Sequence, residues 1–226
     1  MIRRRLSDYH GQFNPPTDHV IAGYFPRSHV GVCVEVGAAD GVSCSNTLHF
    51  ERKGWTCLCI EANPLHEESL RRHRRNVQMC AVADQARPSA AFHVADMTSG
   101  VYEAVSALEL DTRLVDAHQH LLTGFHDVRV EVRTLDQCLA SFVEVLPPGG
   151  HAIDFMTVDT EGTELSVLRG LDLNRWRIPL LVVENNFDDP EIGDHLRTFG
   201  YVRQERYQVN DFFTLADRNP HPEDAQ

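Results

Sequence analysis

Acidic side chains recur at or just behind the ends of apolar runs in this sequence, and that placement is where its chemistry is to be sought. Glu35 lies in the run 31–37, and the turn behind it reads Gly37-Ala38-Ala39-Asp40-Gly41. Glu61 closes the run 56–61. Asp159 closes the run 153–159, with Glu161 and Glu164 just after it, and Glu184-Asn185 close the run 178–184. If these runs are parallel strands, the acids gather outside the carboxyl ends, where doubly wound sheets bind ligands. Gly37 and Gly41 permit a tight turn and a close backbone approach to a ligand.

The ligand can be narrowed by charge. The dinucleotide pattern G-x-G-x-x-G is not matched, because Ala39 stands at the second glycine and Asp40 would repel a pyrophosphate. A sulfonium cation fits better: Glu35 and Asp40 place negative charge beside it, and Glu61 can accept both hydroxyls of a ribose. This combination points to S-adenosylmethionine. An ordinary strand-to-helix turn with a solvated acid, or a nicotinamide or flavin enzyme, are the competing readings.

Composition bounds the rest. The chain has 226 residues, 42% hydrophobic and 24% charged, which suits one domain with a core. Its formal charge of -12 makes it a poor binder of nucleic acid. No apolar stretch is long enough to span a bilayer. Arg3-Arg4-Arg5 is followed by polar residues and not by an apolar h-region, so a cleaved secretory signal is not expected. Cys33, Cys57, Cys59 and Cys80 lie in apolar runs and read as buried cytoplasmic thiols. Lys53 is the only lysine. The basic run Arg71, Arg72, Arg74 and Arg75 reads as the last turn of a helix, complementing its dipole.

The elements that must position the acids follow from pattern. Strands are expected over 31–37, 56–61, 77–82, 90–94, 128–132, 153–159 and 178–184, with helices over 45–52, 64–75 and 163–171. Two further strands near 199–201 and 211–215 would close the sheet edge as a hairpin. Strands alternating with helices imply an α/β fold, a doubly wound and mostly parallel sheet. Residues 1–26 form an N-terminal flap, 27–216 the domain, 97–127 a lid or substrate-facing insert with helical patches, and 217–226 a frayed tail.

Two blocks carry a family resemblance. The run V-E-V-G-A-A-D-G-V-x-x-S-N-T-L-x-F-E from Val34 to Glu51, continued by G-W-x-C-L-C-I-E-A-N-P from Gly54 to Pro64, resembles the FkbM family of S-adenosylmethionine-dependent methyltransferases. Arg133-Thr134-Leu135-Asp136 and V-D-T-E-G-T-E-L-x-V-L-R-G from Val158 to Gly170 are similar to its second block. The resemblance implies a Rossmann-like class I fold and O-methylation of a sugar or other natural product, a small-molecule or glycan acceptor. Methylation of nitrogen or carboxylate acceptors, or a non-catalytic cofactor-binding scaffold, are the alternatives. In that light Glu35, Gly37, Asp40 and Gly41 would hold the methionine and sulfonium end, Glu61 with Ala62 and Asn63 the ribose, and Asp84, with Asp96 its rival, the adenine.

A hydroxyl acceptor must lose its proton as it attacks. Lys53 lies at the far end of a helix, so a lysine base is not expected, and Asp159 and Glu161 become the catalytic candidates, with a histidine such as His118 or His126 in reserve. Asp159, Glu184 and Asn185 together are similar to the Asp, Asp-Asn set of catechol-type methyltransferases. As oxygen donors they would suit Mg2+ or Mn2+. The competing reading is that Asp159 only accepts hydrogen bonds while Glu184-Asn185 tie down the following loop.

Overall fold

The structure, a computed structural model, describes residues 6–97, 104–144, 146 and 152–217. Arg3-Arg4-Arg5, residues 98–103 of the expected insert and the tail beyond Asp217 lie outside the described residues.

Strict alternation in the apolar runs puts neighbouring side chains on opposite faces. β1 (Val32–Val36) pairs in parallel with β2 (Thr56–Glu61) on one side and β8 (Phe155–Val158) on the other. β3 (Asn76–Met79) extends the sheet beyond β2. β9 (Leu180–Glu184) extends it beyond β8. The hairpin of β10 (Tyr201–Tyr207) and β11 (Asn210–Leu215) closes the edge in antiparallel fashion, giving the order β10-β11-β9-β8-β1-β2-β3. The fold is a Rossmann-like, doubly wound α/β architecture, with the antiparallel C-terminal edge expected from sequence.

Each face has its own core. Val34, Val36, Leu58, Ile60, Met156 and Val183 pack against α5 (Leu135–Val143), α6 (Glu164–Arg169) and α7 (Pro190–Arg197). A capping box starts α5: the Gln137 amide donates to the Thr134 hydroxyl while the Gln137 side chain accepts from the Thr134 amide. On the other face Cys33, Cys57 and Phe155 meet α1 (Thr17–Ile21) and α2 (Leu48–Arg52). Phe155, fully buried, packs at a tilt with its ring centre within 5.6 Å of those of Phe25, Phe50 and Trp55. Side chains of this size each contribute about 1.5–3 kcal/mol on burial.

Three expectations are corrected. The run 77–82 is not one strand: it breaks at Cys80, so that β3 completes the main sheet while β4 (Ala81–Val82) pairs with β7 (Leu122–Arg133). The short strands expected at 90–94 and 128–132 are pieces of a long antiparallel pair, β5 (Arg87–Met97) with β7, to which β6 (Ala104–Ala107) adds. The result is a second sheet, β4-β7-β5-β6, and the expected helical insert contributes strands to it, with one helix, α4 (Thr112–His118). The 64–75 helix is shorter: a 3-10 turn over Pro64–His66 and then α3 (Glu67–His73). Arg71 and Arg72 pair with Glu67 and Glu68 one turn back, but Arg74 turns inward.

Candidate active site

The strand order reverses between β1 and β8, since β2 and β3 continue on one side and β9 on the other. A cavity of about 730 Å³ opens there, large enough for a cofactor and part of an acceptor. Its walls come from the β1 loop, the ends of β2, β8 and β9, the second sheet, and Gln12, Phe13 and Thr17 of the N-terminal segment.

The β1 loop is shaped by conformation and by one buried cation. Gly37 and Gly41 have φ of +85° and +81°, where a side chain would be strained. Asp40 accepts from the Val42 and Ser43 amides and from the Ser43 hydroxyl, each within 2.8 Å. Burial alone would raise its pKa, but these donors outweigh it and hold the carboxyl below its ordinary value. Behind the loop Arg74, with no exposed side-chain surface, binds Glu35 at 3.0 Å, Glu51 at 2.5 Å, Thr47 at 2.6 Å and the Gly41 carbonyl at 3.3 Å.

Glu35 is therefore a loop anchor. Its carboxylate also accepts from Ser45, the Asn46 amide and Thr47, so its lone pairs are taken within the protein although it lines the cavity. The role expected for it at the methionine end is revised accordingly. Ser45 and Asn46 sit ahead of α2 as its approach, and Ser45 accepts from the Leu48 amide.

Glu61 faces the cavity from the end of β2 and accepts from the Ala39 and Asn63 amides at 2.8 and 2.7 Å. Burial raises its pKa against those two bonds. Ala62 lines the cavity next to it. Asp84 does not: it is exposed, outside the wall, with its amide on Ser166. Asp96 is also off the wall, paired with His126. Cys80, Ala81, Val82, Phe92 and Leu108 line that end instead, an apolar slot suited to a flat ring. The kink at Cys80 is what carries Asp84 away.

Across the reversal stand Asp159, Glu161 and Glu184, with Glu164 behind. Glu161 and Gly162 adopt φ of +57° and +108°, and Glu164 fixes this turn by accepting from the Thr160 and Gly162 amides at 2.9 and 3.0 Å. Burial, then the charge of Glu164, pushes Asp159 up to about 7, while a hydrogen bond with Glu184 pulls the other way. Burial and the charges of Asp159 and Glu164 push Glu161 up to about 8. Burial first, then Asp159, drives Glu184 well above its ordinary value. The hydrogen bond between Glu184 and Asp159 raises the first and lowers the second. Thr157 and Asn210, buried polar residues of the wall that the sequence reading missed, complete this side. Thr157 had a signal, a hydroxyl inside an otherwise apolar strand.

The residues expected to hold a metal do not fit one. The Asn185 amide donates to the Asp189 carbonyl and to Asp211, and its oxygen accepts from the Asp189 amide. It is spent on the loop after β9, and Asn186 lines the cavity in its place. Among the described residues no group of three or more His, Cys, Asp and Glu side chains is arranged to hold a metal ion. The remaining pair, Asp159 and Glu184, is bonded to itself.

The family model for the methyltransferase FkbM domain matches residues 35–209, most of the chain and all of the loops just described. The chain belongs to the FkbM methyltransferase family. It is an S-adenosylmethionine-dependent methyltransferase, and the β1 loop, Glu61 and the apolar slot are the walls available to that cofactor. No curated protein matches the sequence. Among solved structures it is similar to the precorrin-6Y C5,15-methyltransferase of Geobacter metallireducens (10% identity, 87% of this chain and 84% of that one, TM-score 0.41). It is also similar to the C-terminal domain of the Rhodobacter capsulatus precorrin-6Y C5,15-methyltransferase (12%, 93% and 95%, 0.40). A putative O-methyltransferase from Klebsiella pneumoniae is similar at 14% identity over 88% of this chain and 84% of that one, TM-score 0.34. No described helix of this FkbM methyltransferase is long and apolar enough to cross a membrane.

Proposed function

We propose that this enzyme methylates a hydroxyl of a small-molecule or glycan acceptor, with Asp159 as the general base and no metal in the step. S-adenosylmethionine supplies an electrophilic methyl group. The chain's task is to hold the acceptor oxygen in line and to take its proton.

The observation that carries the reading is the carboxyl group of Asp159, raised to about 7 on the acceptor side of the cavity. An ordinary carboxylate is too weak a base for an alkyl hydroxyl. One raised by burial is better matched to proton transfer near neutral pH. Glu184 orients Asp159 by its hydrogen bond, and Glu161, raised to about 8, lies alongside to relay the proton outward. The spent Asn185 favours this route over a metal-bound hydroxyl. Six free cysteines, five of them buried, are in keeping with a reducing, cytoplasmic setting.

The test is S-adenosylhomocysteine formation from a panel of hydroxylated acceptors, in EDTA and with added magnesium or manganese. Turnover that survives chelation and falls at least about 100-fold in Asp159→Asn is the expected result. Activity that vanishes in EDTA and returns with the ion would restore the metal.

A further inference from the structure

We propose that the acceptor carries a basic amine, bound as an ammonium ion by Glu161 and Glu184. The inference rests on the methyltransferase reading and concerns the other half of the same cavity.

The walls carry no arginine or lysine among the described residues, and their only basic side chains are His66 and His118. They carry many acids, and those on the cofactor side are accounted for. Glu35 is saturated by Arg74 and its neighbours, Asp40 closes its own turn, and Glu61 stands at the ribose position. Of the three acids at the ends of β8 and β9, Asp159 and Glu184 are bonded only to each other, and among the described residues no cation pairs with them or with Glu161. Arg113 and Arg206, outside the walls, are already paired, Arg113 with Asp111 and Arg206 with Asp188 and Asp211. Ionising buried Glu184 and half-buried Asp159 and Glu161 together without a counter-ion is costly, and no arginine or lysine of the described residues lines the cavity to offset it.

A second observation points to a ligand. Among the described residues the Thr157 hydroxyl, 2% exposed, and Glu184 Oε2, in a residue 7% exposed, find no hydrogen-bond partner, and both residues line the cavity. Buried polar atoms left bare cost about 1–3 kcal/mol each, so a site that keeps them is built for something that pairs them. An ammonium group brings three donors and a positive charge. It can satisfy Glu184 Oε2 and Glu161 while a hydroxyl of the same molecule reaches Asp159. A neutral polyol could pair the bare atoms but would leave the acids uncompensated. An anionic acceptor would be repelled.

The experiment uses the full chain loaded with S-adenosylhomocysteine. Glucosamine and galactosamine are each titrated against their N-acetylated forms by saturation-transfer NMR and calorimetry, with magnesium chloride alone as a separate arm. The amine form should bind about tenfold or more tightly than its acetylated partner. That preference should disappear in Glu184→Gln and in Glu161→Gln, with affinity for S-adenosylhomocysteine, the control for folding, unchanged. The proposal is overturned if no amine outbinds its acetylated form, or if the preference survives both variants. Magnesium binding lost in the same variants would overturn it too, giving the acids to a metal. A chain that fails to bind S-adenosylhomocysteine at all would fail the methyltransferase reading instead.

Discussion

A Cβ built on Gly37 would stand 1.7 Å from the main-chain carbonyl oxygen of Asp159. The cofactor loop behind β1 and the acid-bearing end of β8 are therefore in backbone contact, and the two halves of the cavity share one wall. Gly37→Ala faces both this clash and a φ of +85°. It should destabilise the chain by about 2 kcal/mol or more in urea unfolding and weaken S-adenosylhomocysteine binding with it. A variant of wild-type stability and affinity would mean that the two loops are not coupled through this contact.

Arg74 is the buried counter-ion for Glu35 and Glu51. Arg74→Met should cost about 3–5 kcal/mol, because two carboxylates remain buried without it. The triple variant with Glu35→Gln and Glu51→Gln should recover much of that loss, since the uncompensated charge is gone. Denaturation of the single and triple variants reads this directly, and equal losses in both would assign Arg74's contribution to packing.

The main sheet was legible because its strands obey simple rules. Runs such as 178–184 are apolar throughout and end in an acid, and Pro64 marks a helical start. Arg74 was not legible, since nothing in the run from Arg71 to Arg75 separates the one residue that turns inward from its solvated neighbours. Asp84 was misplaced because the strand was read straight through Cys80, where the chain leaves the main sheet for the second one. Asn185 failed as a ligand for a similar reason: an acid-amide pair at a strand end looks the same whether the amide faces the cavity or ties a loop. The acids Asp159, Glu161 and Glu184 were found because strand ends in parallel register converge whatever the loops do.

Two of the acids assigned to cofactor from sequence, Glu61 and Asp84, should now separate. Glu61→Gln should weaken S-adenosylhomocysteine binding about tenfold, since one carboxylate oxygen facing the cavity becomes a donor. Asp84→Ala should bind like wild type, because Asp84 is exposed outside the wall. Calorimetric titration of both settles the assignment, and a large loss in Asp84→Ala would put the adenine elsewhere than the slot near Phe92.

Stability should fall as pH rises in the ligand-free protein. Unfolded carboxyls titrate near 4, whereas Asp159 and Glu161 titrate at about 7 and about 8 in the fold. Between those values the folded state holds protons that the unfolded state has lost, so the unfolding free energy declines from about pH 4 to about pH 8. Glu161→Gln removes one contributor. It should melt a few degrees above wild type at pH 8, about 1 kcal/mol or more, and level with it at pH 4. Melting curves that run parallel across that range would show that burial does not disfavour the Glu161 charge.

The same acids set the pH dependence of turnover. If Asp159 takes the acceptor proton it must be ionised, so kcat/KM should rise with pH through an apparent value of about 7 that belongs to the Asp159–Glu161–Glu184 group as a unit. Glu164 does not touch the cavity, yet its charge is the largest cause after burial of the raised Asp159 value. Glu164→Gln keeps an acceptor for the Thr160 and Gly162 amides while removing that charge. The rising limb should therefore move to lower pH with the turn intact. A structural role for Glu164 alone would lower the rate without moving the limb, and a limb unmoved in Glu164→Gln but lost in a histidine variant such as His118→Gln would transfer the base from Asp159 to that histidine.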